Sequence, residues 1–280
     1  MQEEINQFIE RALYEDIREG DHTSLACIPN NAMGKGQLLV KEYGILAGMK
    51  LAQLIFQKVD KRIKMIPLLK DGDKICIGDI AFTVEGPSTA LLTAERLVLN
   101  CMQRMSGIAT KTHHITELLE GTNARVLDTR KTTPGIRFLE KWAVTIGGGT
   151  NHRFGLYDMM MIKDNHIDFA GGIRPAIEKA IAYQKNKGLS LNIEVESRNL
   201  SEVEEIIEVG NIQRIMLDNF NFEDTRTAVK MINGKYETEA SGGITEETIR
   251  AHAECGVDFI SVGALTHSVA SLDLSLKATE

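Results

Sequence analysis

The residues best suited to chemistry are cationic side chains in the middle of the chain. Arg130, Lys131, Arg153 and Lys163 supply permanent positive charge. An arginine side chain binds a carboxylate or a phosphate through two parallel hydrogen bonds, and a lysine adds a point charge. These residues therefore predict a substrate that carries several negative charges.

Two carboxylates, Glu196 and Asp218, each end an apolar run of the sequence. They could hold Mg²⁺ together with water and substrate oxygens, or stabilise a positive charge that develops during a reaction. They could also do no more than offset the cationic residues. Glu194 would lie on the same face of an extended strand as Glu196 but farther from its end, so we select Glu196 as the functional carboxylate.

Small residues offer main-chain N–H groups, which bind phosphate well. The glycine-rich residues 147–149 lack the lysine and the spacing of a nucleotide-binding loop, and we interpret them as flexible backbone that presents His152 and Arg153. The candidates for phosphate binding follow later apolar runs: Ser241, Gly242, Gly243 and Gly263. Other histidines lack the spacing of metal ligands and are assigned no site: His22, His113, His114, His252 and His267.

Six short apolar runs in the second half of the chain would position these residues. The runs are residues 124–127, 159–162, 191–195, 214–217, 236–240 and 259–262. Helical patterns separate them, among others at residues 173–183, 200–209 and 246–254. This alternation predicts a parallel sheet closed, or nearly closed, into an α/β barrel, in which the functional residues lie at the C-terminal ends of the strands.

The first part of the chain has a different pattern. An amphipathic helix before Gly20, four short strand-like runs and a helix over 49–59 predict a small α+β domain with an antiparallel sheet. From Pro87 a long helical stretch follows, and Gly107 and Gly121 suggest that it forms two helices. We expect an N-terminal domain over 1–107 and a barrel domain over 108–280, with the last residues returning to the N-terminal domain.

Composition narrows the classes of partner. The 280 residues carry a formal charge of −7, which argues against nucleic-acid binding. Residues 96–166, however, carry 10 basic and 6 acidic side chains, a net +4 that favours a small anionic ligand. No apolar run approaches the roughly 18 residues of a membrane span, and the N-terminus carries acids where a signal peptide needs basic residues. We therefore expect a cytoplasmic protein with no membrane partner.

The segment DTRKTTPGIRFLEKWAVTIGGGTNHRFGLYDMMMIKDNH, residues 128–166, resembles the quinolinate phosphoribosyltransferases, also called nicotinate-nucleotide pyrophosphorylases (carboxylating). Similar blocks occur in the family's order along almost the whole chain: EDIREGDHTS (15–24), GILAG (44–48), TAERLVLNCMQRMSGIAT (93–110), IEVES (193–197), MLDNF (216–220), EASGGIT (239–245) and VGALTHS (262–268). The resemblance implies an open, TIM-like α/β barrel behind the small N-terminal domain. It also implies a homodimer, or a higher assembly such as a hexamer.

The resemblance implies a Mg²⁺-dependent glycosyltransferase of de novo NAD biosynthesis. Quinolinate and 5-phosphoribosyl 1-diphosphate would give nicotinate mononucleotide, CO₂ and diphosphate. Matched by position, the quinolinate ligands would be Arg130, His152, Arg153 and Lys163, with Arg96 contributed by the partner subunit. The residues at the phosphoribosyl donor would be Lys131, Lys163, Glu196, Asp218, Ser241, Gly242, Gly243 and Gly263. Lys131, Lys163, Glu196 and Asp218 would be catalytic, and Glu196 and Asp218 would hold the metal directly or through substrate oxygens.

The sequence leaves three alternative functions open. A paralogue on the same scaffold could use another substrate, although the full basic cluster argues for two carboxylates. A nicotinate-using transferase without decarboxylation would need fewer cationic side chains. A non-catalytic sensor of phosphoribosyl ligands would be expected to lack Glu196, Asp218 or Lys163, and the chain has all three.

Overall fold

The computed structural model describes residues 2–279, which group into two compact units. The first comprises residues 2–113, 132–148 and 268–279, and the second comprises 114–131 and 149–267. Each unit is made of separate segments of the chain, so the two units are not divided at a single residue. The division after residue 107 stays a prediction. Among the described residues, no helix is both long and apolar enough to cross a membrane.

The first unit is a small α+β structure. Its four-stranded sheet has the order β12-β1-β5-β3, and its pairs are antiparallel. The strands are β1 (Met33–Val40), β2 (Gly44–Ile45), β3 (Lys64–Pro67), β4 (Lys74–Ile75), β5 (Ile80–Pro87) and β12 (Leu274–Thr279). The helices are α1 (Gln2–Ile17), α2 (His22–Cys27), α3 (Met49–Val59) and α5 (Arg137–Ile146). The C-terminal strand β12 lies beside β1, with Leu38 opposite Leu276.

The predicted pair of helices after Pro87 is wrong, because α4 runs unbroken from Ser88 to Leu118. Gly107 lies inside it and does not end it. A Cβ at this position would lie 2.1 Å from the carbonyl oxygen of Ala270, so Gly107 allows another segment to approach the helix closely. Likewise, a Cβ on Gly147 would lie 2.4 Å from the carbonyl oxygen of Ala109, so Gly147 is closely packed where we expected flexible backbone.

The second unit is built on six parallel strands in the order β6-β11-β10-β9-β8-β7, which confirms the α/β barrel. They are β6 (Arg125–Leu127), β7 (Met160–Ile162), β8 (Ile193–Ser197), β9 (Arg214–Asp218), β10 (Glu237–Ser241) and β11 (Phe259–Ser261). The helices are α6 (Asp164–Ala170), α7 (Ile173–Lys187), α8 (Leu200–Val209), α9 (Phe222–Ile232), α10 (Glu246–Ala253) and α11 (Ala264–His267). Within the described chain no ladder joins β6 to β7, so the barrel is open.

Candidate active site

The C-terminal ends of the barrel strands surround a cavity of about 790 Å³. Every predicted site residue except Arg96 lines it: Arg130, Lys131, His152, Arg153, Lys163, Glu196, Asp218, Ser241, Gly242, Gly243 and Gly263. The strands position them because parallel strands present their C-terminal ends at one rim. Arg96 is exposed on α4 in the other compact unit. The individual roles of the predicted site residues stay predictions.

One wall of the cavity is cationic. Burial, together with the positive charge of Arg130, lowers the pKa of Arg153. The Arg153 side chain donates to the main-chain oxygen of Met159 at 3.3 Å, which fixes its direction. Two guanidinium groups close enough to repel are stabilised by an anion between them, so this wall is suited to carboxylates.

His152 is buried between this wall and the barrel interior. Its main-chain N–H donates to Asp128 Oδ1 at 2.8 Å, and its Nε2 lies 3.0 Å from Glu194 and 3.4 Å from Glu239. Although burial opposes charge, the two carboxylates raise the pKa of His152 to about 9. In the structure Nδ1 accepts a hydrogen bond from the Arg153 main-chain N–H at 2.6 Å, and a doubly protonated ring would have to give up this contact.

The atoms of His152, Glu194 and Glu239 lie within 4.8 Å of one another, a spacing that a metal ion could occupy. Arg214, however, donates to Glu239 at 3.0 Å and already supplies positive charge. Burial, and then the charge of Glu239, raise the pKa of Glu194 to about 7, whereas Glu239 keeps a lowered pKa despite its burial because His152 and Arg214 stabilise its charge. His152 and Arg214 are thus the cations that balance these two carboxylates. We therefore interpret this buried cluster as a group of residues that stabilises protonated His152, and not as a metal site.

The acidic wall is formed by Glu196 at the end of β8 and Asp218 at the end of β9. Burial, and then the charge of Asp218, raise the pKa of Glu196. Lys163 lies 3.9 Å from Glu196 and partly balances the pair. Two close carboxylates on a cavity wall are oxygen donors of the kind that Mg²⁺ prefers, so the residues present fit this metal. Glu194 lies deeper, fully buried, as the alternation along β8 predicts.

Glycine-rich turns form the remaining rim. Gly242 and Gly243 follow β10 with φ of 95° and 59°, a conformation that favours glycine. A Cβ on Gly263 would lie 3.2 Å from Lys131 Cδ, so the lysine side chain packs over that glycine. The Thr266 hydroxyl donates to the Lys131 carbonyl oxygen at 2.8 Å and fixes the loop that carries it. Main-chain N–H groups and a lysine thus meet where a phosphate could bind.

Sequence reasoning missed several polar residues of the cavity wall, among them Glu239, Asn219 and His267. His267 lacks the spacing of a metal ligand, so the sequence assigns it no site. It follows Gly263 by four residues at the end of α11, and its Nε2 lies 3.0 Å from where a Cβ on Gly263 would be. Four-residue spacing on a short helix was the signal that could have placed it.

Comparison with known proteins identifies the family. Residues 21–106 match the model of the quinolinate phosphoribosyl transferase N-terminal domain, and residues 108–277 match that of its C-terminal domain. This chain belongs to the quinolinate phosphoribosyltransferase family.

The similarity extends along the whole of this quinolinate phosphoribosyltransferase family member. It is 46% identical to the chloroplastic nicotinate-nucleotide pyrophosphorylase [carboxylating] of Arabidopsis thaliana, over 98% of this chain and 82% of the relative. It is 42% identical to the probable nicotinate-nucleotide pyrophosphorylase [carboxylating] of Bacillus subtilis, over 99% and 94% respectively. The crystal structure of NadC from Streptococcus pyogenes superposes with a TM-score of 0.94 at 39% identity, covering 100% of this chain and 98% of that one.

Proposed function

We propose that the cavity is where this enzyme converts quinolinate and 5-phosphoribosyl 1-diphosphate into nicotinate mononucleotide, CO₂ and diphosphate. The observation that carries the proposal is that the cationic and acidic walls and the glycine turns line one cavity. Such a cavity can receive a dicarboxylate and a multiply phosphorylated sugar side by side. The chain's membership of the quinolinate phosphoribosyltransferase family gives these anions their identity.

Quinolinate is assigned to the cationic wall. Arg130 and Arg153 would each bind a carboxylate through paired hydrogen bonds, with His152 beside them on the cavity wall. Lys163 stands between this wall and Glu196 and can contact both substrates. The wall would thereby fix the plane of the pyridine ring and direct its nitrogen towards the sugar.

The phosphoribosyl donor is assigned to the rest of the rim. Main-chain N–H groups of Ser241, Gly242, Gly243 and Gly263 would hold its 5′-phosphate, and Lys131 would contact its charged groups. Glu196 and Asp218 would hold Mg²⁺, directly or through substrate oxygens, and the bound ion would help to neutralise the diphosphate.

The chemistry follows from these positions. As the bond between C1 of the ribose and diphosphate breaks, Lys131 and Lys163 stabilise the departing negative charge. The carboxylates of Glu196 and Asp218 stabilise the positive charge that develops on the sugar. The pyridine nitrogen then bonds to C1, and the resulting ring cation accepts the electron pair left on C2 when the adjacent carboxylate departs as CO₂. A proton from water takes the place of that carboxylate.

We also propose that two copies of the chain share each site. Arg96 is exposed on α4, away in sequence from the barrel residues, and it matches the family's arginine that acts in the partner's site. A second copy would bring this guanidinium to the dicarboxylate. Location in the cytoplasm stays a prediction.

Product analysis tests the reaction. The enzyme, quinolinate, the phosphoribosyl donor and Mg²⁺ should together yield nicotinate mononucleotide, separated by chromatography, and omission of Mg²⁺ should suppress it. Nicotinate in place of quinolinate should yield no nucleotide. Equal turnover of nicotinate would contradict the proposal and indicate a transferase that does not decarboxylate.

A further inference from the structure

Asn219 occupies an unusual backbone position between the acidic wall and the phosphate turn. Its φ is 57°, in the left-handed region that asparagine tolerates better than most residues other than glycine. Its main-chain N–H donates to the carbonyl oxygen of Ser241 at 2.8 Å. The turn that follows β9 is thereby attached to the end of β10.

The side chain of Asn219 contacts the carboxylate assigned to the donor. Its Nδ2 donates to Asp218 Oδ2 at 2.6 Å, although the two residues are adjacent in sequence. This contact orients the Asp218 carboxylate, because one oxygen is held by the amide while the group remains on the cavity wall. A carboxylate with one oxygen so held presents the other in a defined direction.

The same side chain packs against the phosphate turn. A Cβ on Gly242 would lie 2.2 Å from Asn219 Oδ1 and 2.5 Å from its Cγ, so the amide occupies the space above this glycine. Gly242 itself has a φ of 95°. One amide therefore contacts both the acidic wall and the turn assigned to the 5′-phosphate.

We propose that Asn219 is a positioning residue for the phosphoribosyl donor. It orients Asp218 with its amide nitrogen and supports the Ser241–Gly243 turn with the rest of its side chain, so that carboxylate and phosphate turn keep a fixed separation. The proposal rests on the proposed function, which assigns the donor to these two groups. It predicts that Asn219 governs binding of the donor and leaves binding of quinolinate unchanged.

Asn219→Asp is the sharpest test, because it keeps the shape but replaces the donor of a 2.6 Å hydrogen bond with a second carboxylate. The KM for 5-phosphoribosyl 1-diphosphate and the half-saturating Mg²⁺ concentration should rise at least about tenfold. The KM for quinolinate should stay within about twofold. Calorimetric titration of the donor into the enzyme, with and without Mg²⁺, should show the same loss without turnover.

Asn233→Asp is the matched control. Asn233 ends α9 with a φ of 47°, is exposed and does not line the cavity, so it repeats the chemical change in a similar backbone conformation. It should leave all these parameters unchanged. A uniform change in both KM values and the melting temperature of Asn219→Asp would indicate a merely structural role and overturn the proposal.

A pair of further variants tests the steric contact. Gly242→Ala should lower the melting temperature, and adding Asn219→Gly should restore part of it while the affinity for the donor stays low. Absence of any recovery would contradict close packing of Asn219 against Gly242.

Asp218→Asn distinguishes a failure of the proposed donor site from a failure of the role of Asn219. If this variant leaves the KM for the donor unchanged, the assignment of the donor to Asp218 is wrong. If Asp218→Asn weakens binding of the donor and Asn219→Asp does not, only the proposed role of Asn219 is wrong.

Discussion

His152 and Glu194 form a buried pair, with Nε2 of the histidine 3.0 Å from a carboxylate oxygen of the glutamate. Typical barrels fill this interior with branched apolar side chains. Here Glu239 and Arg214 extend the pair into a charged layer, since Arg214 donates to Glu239 at 3.0 Å. The layer lies beneath the cationic wall and favours a positive charge on His152.

This charge should appear in the pH dependence of quinolinate use. Because the pKa of His152 is raised to about 9, its cationic form is present below that pH, and kcat/KM for quinolinate should fall as the pH rises through it. Glu239→Gln removes one of the carboxylates that stabilise the cation and should move this fall to lower pH. Glu237→Gln is the control, because Glu237 contacts Arg214 at 2.9 Å and has no contact with His152 among the described ion pairs. Identical pH profiles for both variants would refute the assignment.

Arg130→Ala should abolish most turnover of quinolinate. Removing one charge-assisted carboxylate contact costs about 3 kcal/mol at most, which corresponds to a loss of about a hundredfold in kcat/KM. Arg226→Ala, at an exposed arginine on α9, is the matched control and should behave like the unmodified enzyme. Steady-state kinetics with varied quinolinate measure both, and unaltered kinetics for Arg130→Ala would remove it from the site.

Shared sites predict complementation between inactive variants. Arg96→Ala and Lys163→Ala should each be inactive alone, yet a mixed dimer would contain one site with both residues intact. Co-expressing the two with different affinity tags and isolating the doubly tagged species should therefore restore a fraction of the activity. No recovery in dimers shown to be mixed would count against a contribution of Arg96 across the interface.

Gly107→Ala should destabilise the protein even though alanine favours helices by about 1 kcal/mol over glycine. The added Cβ would lie 2.1 Å from the Ala270 carbonyl oxygen, so the backbone must move. Asn100→Ala, at an exposed position of the same helix, should be neutral or stabilising. Thermal unfolding followed by circular dichroism compares them, and a higher melting temperature for Gly107→Ala would contradict the close packing.

The sequence predicted the barrel well because its strands are short apolar runs buried by tertiary packing. The predicted bounds of α3 and α8, residues 49–59 and 200–209, match the structure, since the apolar stripes of these helices are regular. Sequence reasoning missed α5 even though this helix has a regular apolar stripe; its fully buried Glu140 and Lys141 are residue types that usually lie at the surface. The uninterrupted α4 was hidden for another reason, because the need for Gly107 arises from a segment about 160 residues away.

In the candidate site, too, some residues could be predicted from the sequence and others could not. Residues at or just after the end of a strand, such as Asp218 and Lys163, are recognisable because the barrel brings strand ends together. Asn219 also follows β9, but the sequence did not assign it a role, because that role comes from a left-handed backbone and a contact with Gly242 that no local pattern encodes. The charged layer was likewise not predicted, since nothing in the sequence indicates that Arg214 and Glu239, on separate strands, contact each other in the barrel interior.

Isotopic labelling of quinolinate tests whether phosphoribosyl transfer in this cavity is coupled to decarboxylation. Quinolinate labelled in the C2 carboxylate should release one labelled CO₂ for each nicotinate mononucleotide formed, and quinolinate labelled in the C3 carboxylate should retain its label in the nucleotide. Arg130→Ala should reduce release and nucleotide formation together. A nucleotide that keeps both carboxylates, or CO₂ release without the phosphoribosyl donor, would rule out decarboxylating transfer by this enzyme.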